Sequence, residues 1–278
     1  MTPRELIRSL SSRFREAGIP DPDTDASLLL SHLTGRPPLE LRLDTDSPLE
    51  DSVVAACTEL AEQRLQRIPL QYLLGEAPFY TRMFRVDSRV LIPRPETELL
   101  CEWALDLLRS FSAPRVLDLC CGSGCIGLTV KAECPGAQVS LSDISDDALA
   151  VAAENARRLS LDVNFRKGNL LEGFSPASFD LILSNPPYIP SADCDILQPE
   201  VLREPRLALD GGLDGCDLYL RIIRDARQVL SPGGKLLMEL GIGEAESVSA
   251  CLAACGWNDI QVRNDHAGIQ RMILATLP

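Results

Sequence analysis

The stretch of this sequence with the most distinctive chemistry is the turn Asn185-Pro186-Pro187-Tyr188. It presents a primary amide, backbone carbonyls and an aromatic ring together, and such a set can hold a planar amide or amino group by accepting its N–H hydrogen bonds. Neither proline has a backbone N–H and both fix φ, so the turn is stiff and cannot continue a central strand. We therefore predict that it binds the nitrogen-bearing group of a ligand, rather than merely ending a strand.

The element that must position this turn is the apolar run from Phe179 to Leu183. A short continuous apolar run is typical of a strand buried on both faces. Open α/β sheets bind ligands in the crevice outside the carboxyl ends of their strands. The turn directly follows such an end, which is where a binding site is expected.

A glycine-rich loop, Cys121-Gly122-Ser123-Gly124-Cys125, follows an earlier apolar run and supplies a second set of candidates. With Gly127 it satisfies G-x-G-x-x-G, in which glycine permits close backbone approach and the next helix offers N–H groups to an anion. Asp143 ends the next predicted strand, where a carboxylate can accept hydrogen bonds from ribose hydroxyls. Both features fit either NAD or S-adenosylmethionine.

Two details favour S-adenosylmethionine over NAD. Asp118 precedes the glycines in the pattern Asp-x-x-x-Gly-x-Gly, whereas dinucleotide-binding folds usually begin their glycines directly after the strand. The Asn-Pro-Pro-Tyr turn has no evident role in hydride transfer. An NAD-dependent oxidoreductase remains the alternative from a different class.

The order of apolar runs predicts the fold. From Arg115 onward strands alternate with helices, which indicates an α/β fold with a doubly wound, Rossmann-like parallel sheet covered on both faces. The predicted strands cover 116–119, 139–141, 163–165, 179–183 and 235–240, followed by two late strands near 259–262 and 271–276. Pro232-Gly233-Gly234 is expected to form a turn before the fifth of these strands.

The residues before Arg115 divide into two further segments. Residues 1–75 predict a small helical bundle with helices opening near Thr2-Pro3, Asp21-Pro22 and Ser47-Pro48; it is either a structural cap or a docking domain for a macromolecular substrate. Residues 76–95 predict a hairpin and linker, and residues 96–278 the catalytic domain. The segment Pro93-Arg94-Pro95-Glu96-Thr97-Glu98 is either an interdomain hinge or a pocket wall with a fixed arginine.

Composition limits the partners. The net charge of −13 argues against direct nucleic-acid binding, and no apolar run reaches the length of a membrane span. The ten cysteines form no C-x-x-C pair and no secretory signal is evident, so we expect reduced thiols in a cytoplasmic protein. With only two histidines, far apart in sequence, no metal site is expected.

Several segments together resemble one known family. Val116 to Cys125 looks like motif I of class I methyltransferases, and Asn185 to Tyr188 resembles the turn of their amide- and amine-directed members. Further segments are similar to the release factor glutamine methyltransferase family (PrmC, also called HemK), and the likeness spans nearly the whole chain. They are Gln71 to Gly75, Pro93 to Glu98, Glu204-Pro205, Ala208-Leu209 and Gly211-Gly212.

The resemblance implies a seven-stranded sheet whose last strand is antiparallel. It implies transfer of a methyl group from S-adenosylmethionine to the glutamine of the Gly-Gly-Gln motif in bacterial class-1 peptide chain release factors, a protein methylation that serves translation termination. Carried onto this sequence, the Cys121 to Cys125 loop cradles the methionine portion and Asp143 holds the ribose. Asn169 and Leu170 lie near the adenine, with Leu170 where some members carry a bulky aromatic residue, and Asn185 to Tyr188 holds the glutamine.

A mechanism follows as a hypothesis. The Asn185 side-chain oxygen and the Pro186 carbonyl accept the two N–H bonds of the substrate amide, and Tyr188 packs against the amide plane and excludes water. A nucleic-acid adenine-N6 methyltransferase is the nearest alternative, because it can use the same turn, but it would need a basic groove.

Overall fold

Five helices build the N-terminal part of the chain, and proline opens most of them. They are α1 (Pro3–Glu16), α2 (Pro22–Thr34), α3 (Pro38–Leu43), α4 (Asp51–Leu65) and α5 (Leu70–Leu74). At the start of α1, Thr2 and Glu5 form a reciprocal capping box. The sequence predicted only three helices, because α3 and α5 have six and five residues and show no apolar period. The helix expected at Ser47-Pro48 begins at Asp51 instead.

The computed structural model describes residues 1–278, which form two units. The first contains Met1–Glu76 and also Gln198–Arg203, a segment that the sequence places in the catalytic domain; the second contains Ala77–Leu197 and Glu204–Pro278. Within the first unit, Arg64 is only 4% exposed and pairs with Asp25 at 2.7 Å and Glu200 at 2.9 Å. These charge-assisted bonds attach the segment around Glu200 to the helices.

The second unit begins with a hairpin and then alternates strands and helices, as predicted. The hairpin strands are β1 (Glu76–Phe79) and β2 (Arg82–Arg85). The following helices are α6 (Pro95–Leu108), α7 (Cys125–Glu133), α8 (Asp146–Leu159), α9 (Asp217–Val229) and α10 (Ala245–Ala254). The following strands are β3 (Arg115–Leu119), β4 (Gln138–Asp143), β5 (Asn164–Lys167), β6 (Phe179–Ser184), β7 (Leu230–Glu239), β8 (Asn258–Asn264) and β9 (Gln270–Thr276).

The last seven strands form one sheet in the order β5-β4-β3-β6-β7-β9-β8. β3 to β7 are parallel to one another, and β9 runs antiparallel between β7 and β8. Helices α6, α7 and α8 pack on one face, and α9 and α10 pack on the other. The doubly wound α/β fold is therefore confirmed, including the antiparallel last strand. The strand order reverses between β3 and β6, which is where such sheets bind ligands.

One local prediction was wrong. The expected turn at Pro232-Gly233-Gly234 lies inside β7, which begins at Leu230. Its pairing with β6 jumps from Phe179 opposite Leu230 to Leu181 opposite Lys235, so the four residues from Ser231 to Gly234 form a bulge within the strand. Proline and glycine occur both in turns and in bulges, so their presence in the sequence does not distinguish the two. No helix in the structure is both long and apolar enough to cross a bilayer.

The buried ion pair of the first unit yields a stability prediction. Burial raises the pKa of Asp25, and Arg64 opposes this shift with its hydrogen bond and charge. Arg64→Met keeps the side-chain volume but leaves a buried carboxylate without its partner, and we expect the free energy of unfolding to fall by about 3–5 kcal/mol. Thermal unfolding measures the effect.

The control for this prediction is Arg15→Met. Arg15 pairs with Asp23 at 3.0 Å, but their side chains are 60% and 63% exposed. An exposed pair contributes little because solvent screens it. Equal losses of melting temperature in the two variants would contradict the assignment.

Candidate active site

A cavity of about 290 Å³ opens at the carboxyl edge of the sheet, beside the reversal of strand order. Four strands end there and each delivers predicted site residues to its wall: Gly122 after β3, Asp143 at the end of β4, Asn169 and Leu170 after β5, and Asn185 and Pro187 after β6. Residues 89–91 and 205–210 contribute much of the remaining lining. The structure thus brings Gly122 of the glycine loop together with Asn185 and Pro187 of the turn at one cavity.

The glycines of the loop have different tasks. Gly124 has φ +79°, and a Cβ atom there would lie 2.8 Å from Leu141 Cδ2; a Cβ on Gly127 would lie 2.9 Å from Asp118. Both positions therefore need glycine for close packing. Gly122 has φ +53° and no atom within 4 Å of a Cβ position, so its backbone borders open space on the cavity wall. This cradle is suited to a ligand that approaches the backbone closely.

The rest of the predicted loop is buried beneath the cavity. Cys121, Ser123 and Cys125 are at most 8% exposed and do not line the cavity, whereas Cys120, which was not predicted, does. Burial raises the pKa of the Cys120 and Cys125 thiols to about 12 and that of Cys121 as well. These thiols are therefore protonated at neutral pH and do not act as nucleophiles.

Asp143 is held rigidly in the cavity wall. Its Oδ2 accepts a hydrogen bond from the Gly122 N–H at 3.0 Å, and its Oδ1 accepts one from the Ser145 N–H at 2.9 Å. Burial raises the pKa of the carboxyl group, and these backbone donors oppose the shift. A carboxylate oxygen has a second lone pair, so each can still accept a ligand hydroxyl.

Asp118 is a buried carboxyl group with unmet bonding capacity. Its Oδ2 accepts from the Gly127 N–H at 2.8 Å, while its Oδ1 is buried and has no hydrogen-bond partner. Burial raises its pKa to about 7. Asp118 does not line the cavity itself, but it lies directly beneath the loop that does. A positively charged ligand group bound on that loop would stabilise its ionised form.

The amide group of Asn169 is already engaged by two side chains. Its Oδ1 accepts from Arg221 Nη2 at 3.0 Å and its Nδ2 donates to Glu172 at 2.9 Å. Arg221 also lines the cavity and was not predicted, because it lies in α9, far from any recognised motif. Leu170 is nearly buried and has a left-handed backbone with φ 54°. Asn169 therefore fixes the shape of this wall, with Arg221 and Glu172 holding it.

The turn after β6 is tied to a buried acid. The Asn185 Nδ2 donates to Thr97 Oγ1 at 3.3 Å, and Thr97 Oγ1 donates to Glu239 Oε2 at 2.6 Å. The Tyr188 hydroxyl donates to Glu239 Oε1 at 3.2 Å. Asn185 and Pro187 line the cavity, whereas Pro186 is buried and Tyr188 packs against the apolar cluster under α9.

Sequence reasoning missed Thr97 and Glu239. Thr97 was noticed only as part of the Pro93 to Glu98 segment, and Glu239 only as part of a predicted strand. The available signal was an acid in a central strand that is otherwise apolar, since an acidic residue is almost never fully buried unless it is paired.

A partly buried ion pair connects two segments of the cavity wall, residues 89–91 and 205–208, which we call the cover; the Arg94 side chain is 31% exposed. Glu204 is 6% exposed; it pairs with Arg94 and accepts from the Ile92 N–H at 2.9 Å. These groups are flanked in sequence by residues that line the cavity, namely residues 89–91 on one side and Pro205, Leu207 and Ala208 on the other. The sequence left two interpretations of the segment around Arg94, a hinge or a pocket wall. In the structure this segment anchors the pocket wall.

Comparison with known proteins follows the same division of the chain. A family model described as PrmC N-terminal domain matches residues 5–75, and one described as Methyltransferase small domain matches residues 97–212. A methyltransferase structure from Pyrococcus furiosus superposes with a TM-score of 0.52 at 17% identity, over 69% of this chain and 87% of that chain, which supports the fold.

Curated relatives match over nearly their full length. A release factor glutamine methyltransferase of Deinococcus radiodurans is 41% identical over 272 residues, covering 98% of this chain and 97% of the relative. One of Geobacter sulfurreducens is 41% identical over 273 residues, covering 98% and 95%. These matches confirm the resemblance read from the motifs. The chain belongs to the release factor glutamine methyltransferase family, and the unit that holds the cavity is a methyltransferase domain.

Proposed function

We propose that the protein transfers a methyl group from S-adenosylmethionine to the side-chain amide nitrogen of the glutamine in the Gly-Gly-Gln motif of bacterial class-1 peptide chain release factors. The observation that carries this proposal is the position of Asn185. Its amide N–H is committed to Thr97, yet the residue lines the same cavity as Gly122 and Asp143. A hydrogen-bond acceptor for a substrate amide therefore stands beside a site suited to the methyl donor.

The residues present fit the donor. Gly122 offers an open backbone cradle, Asp143 has lone pairs left for ribose hydroxyls, and the wall near Leu170 is apolar enough for a purine ring. The unpartnered Oδ1 of Asp118 beneath the loop favours a cationic ligand over a neutral one. When bound, S-adenosylmethionine supplies an electrophilic methyl group on a sulfonium.

The acceptor is a poor nucleophile, because the nitrogen lone pair of an amide is delocalised. The protein must therefore gain rate from placement, which can lower a barrier by up to about 7–11 kcal/mol in favourable cases. The Asn185 Oδ1 and the Pro186 carbonyl accept the two amide N–H bonds in our proposal. That grip fixes the nitrogen and stabilises the positive charge that grows on it during transfer. Tyr188 stiffens the turn from beneath, where its hydroxyl is bonded to Glu239.

The N-terminal helices serve as the docking domain for the release factor in this proposal. The matched relatives carry the same N-terminal region, since the alignments cover nearly the whole chain. A release-factor substrate implies, as part of this proposal, that the enzyme works in the cytoplasm. Net charge −13 favours such a substrate over the adenine-N6 alternative, because a nucleic acid would be repelled.

The direct test uses the purified chain, S-adenosylmethionine and a class-1 release factor. We expect mass spectrometry to find one added methyl group, 14 Da, on the Gly-Gly-Gln peptide, and none when the glutamine is replaced by glutamate. Methylation of duplex or single-stranded DNA in a parallel reaction, with an unmodified release factor, would overturn the proposal in favour of adenine-N6 methylation.

A substitution separates the acceptor site from the donor site. Asn185→Ala removes the side-chain oxygen that accepts from the substrate amide. We expect kcat to fall at least about a hundredfold, which is typical when one hydrogen bond that stabilises a transition state is lost. The dissociation constant for S-adenosylmethionine, measured by calorimetry, should change less than about threefold, because in our proposal the lost oxygen contacts the substrate amide and not the methyl donor. An equal loss of donor affinity would show that Asn185 acts mainly on the donor.

The cover of the cavity gives a complementary prediction. Glu204→Ala leaves the Ile92 N–H and the Arg94 guanidinium without their shared acceptor, at a cost of about 1–3 kcal/mol for a buried unsatisfied donor. We expect donor affinity to fall roughly tenfold. Asp195→Asn is the control, because Asp195 lies in the same loop with a side chain that is 71% exposed. Unchanged donor affinity in Glu204→Ala would exclude this role for the ion pair.

A further inference from the structure

The carboxylate of Glu239 is the meeting point of hydrogen bonds from both ends of the Asn-Pro-Pro-Tyr turn. Glu239 is the last residue of β7 and is 1% exposed. Oε2 accepts from Thr97, which in turn accepts from Asn185 at the first position of the turn. Oε1 accepts from Tyr188 at the last position. Arg271 on β9 lies 3.7 Å from Oε1 and supplies the balancing charge.

The direction of these bonds fixes the Asn185 amide. Thr97 has one hydroxyl proton, and it donates that proton to Glu239 over 2.6 Å. The threonine oxygen is then only an acceptor toward Asn185, so the NH₂ group must face Thr97. The amide oxygen is left for the cavity that Asn185 lines. If Thr97 donated to Asn185 instead, the Asn185 oxygen would face Thr97 and its NH₂ group would face the substrate. That NH₂ group would repel the N–H bonds of the substrate amide.

The same carboxylate fixes the other end of the turn. Arg271 Nη2 donates to the Tyr188 oxygen at 3.3 Å, so the tyrosine proton is directed to Glu239. The guanidinium also lies over the Tyr188 ring, 5.7 Å from its centroid. With its hydroxyl engaged by Glu239 and Arg271, Tyr188 holds the last position of the turn in place. Both ends of a proline-stiffened turn are thus held from beneath.

We propose that Glu239 and Thr97 are positioning residues for methyl transfer: together they set the orientation of the Asn185 amide, so that the site presents acceptors only and selects a substrate nitrogen that carries two N–H bonds. The inference rests on the proposed function. It adds to that function a reason why the site takes a primary amide and not a hydroxyl or a carboxylate. A carboxylate has no N–H to donate and would face the Asn185 oxygen unfavourably.

The first test is Thr97→Val against Thr97→Ser. Valine matches threonine in shape but breaks the link between Asn185 and Glu239, so we expect kcat to fall on the order of a hundredfold with the donor dissociation constant unchanged. Serine keeps the hydroxyl and should restore kcat to within about threefold of wild type. Thr129→Val is the matched control: the Thr129 hydroxyl is buried in α7 without a partner, and its removal should leave kcat unchanged.

The second test is Glu239→Gln. A glutamine can accept at one end of its amide only, so either Thr97 or Tyr188 loses its acceptor and we expect a similar fall in kcat. Asp180→Asn is the control, because Asp180 also accepts from an arginine and a hydroxyl, Arg115 and Ser231, but at the opposite end of β6. Asp180→Asn should leave kcat unchanged even if it lowers the melting temperature.

A spectroscopic readout keeps this inference separate from the proposed function, because it needs no substrate. In the free wild-type protein the Asn185 side-chain NH₂ is bonded to Thr97, and we expect its proton NMR signals, assigned by their absence in Asn185→Asp, to exchange slowly with water. They should exchange faster in Thr97→Val and slowly in Thr97→Ser. Protected NH₂ signals without release-factor methylation would defeat the function and leave the network standing. Equal exchange in wild type and Thr97→Val, or kcat unchanged in both Thr97→Val and Glu239→Gln, would overturn the inference.

Discussion

Parallel strands deliver all their carboxyl ends to one edge of a sheet, and at one point along that edge the connecting helices diverge to opposite faces. Here that point lies between β3 and β6, whose residues Leu119 and Ser184 are paired partners at the end of the ladder. No helix can cover the crevice directly above them. The glycine loop follows one strand and the Asn-Pro-Pro-Tyr turn follows the other, so a methyl donor and a methyl acceptor can meet there because of topology alone.

Topology brings the two loops together, but it does not fix them to the accuracy that chemistry needs. That accuracy comes from buried polar groups that have to find partners, since an unpaired group in the interior is costly. Three such groups accept hydrogen bonds around the cavity: Glu239 beneath the turn, Asp143 beside the glycine loop, and Glu204 in the cover. Each is an acid that accepts at least one hydrogen bond from another segment of the chain. Glu239 and Glu204 hold the cavity wall without lining the cavity, whereas Asp143 both holds the glycine loop and faces the cavity.

The sequence alone predicted the fold and the part of the cavity wall that directly follows the strands, because those depend on local signals. Apolar runs identify strands, and the Gly122 loop, Asp143 and the proline turn at Asn185 each follow one directly. The missing parts depend on tertiary contacts. Thr97 and Glu239 lie 142 positions apart, and no pattern within either segment indicates that they bond. The helices α3 and α5 escaped for a different reason: they are too short to show a period and are held by packing.

An acceptor-only grip does not by itself distinguish glutamine from adenine, since both offer an NH₂ group to Asn185. The distinction must come from what surrounds the nitrogen. Adenine in a nucleic acid arrives with phosphates, whereas a protein loop brings a backbone that carries no net charge. The cavity wall itself is balanced in charge, because Arg89 and Arg221 line it beside Asp143 and Asp210, and Asp210 is paired with Arg206 at 3.1 Å. The charge that opposes phosphates is the net −13 of the whole chain, which does not oppose a neutral protein loop. In this enzyme, the grip thus selects for a nitrogen with two hydrogens, and the field of the whole molecule selects which macromolecule presents it.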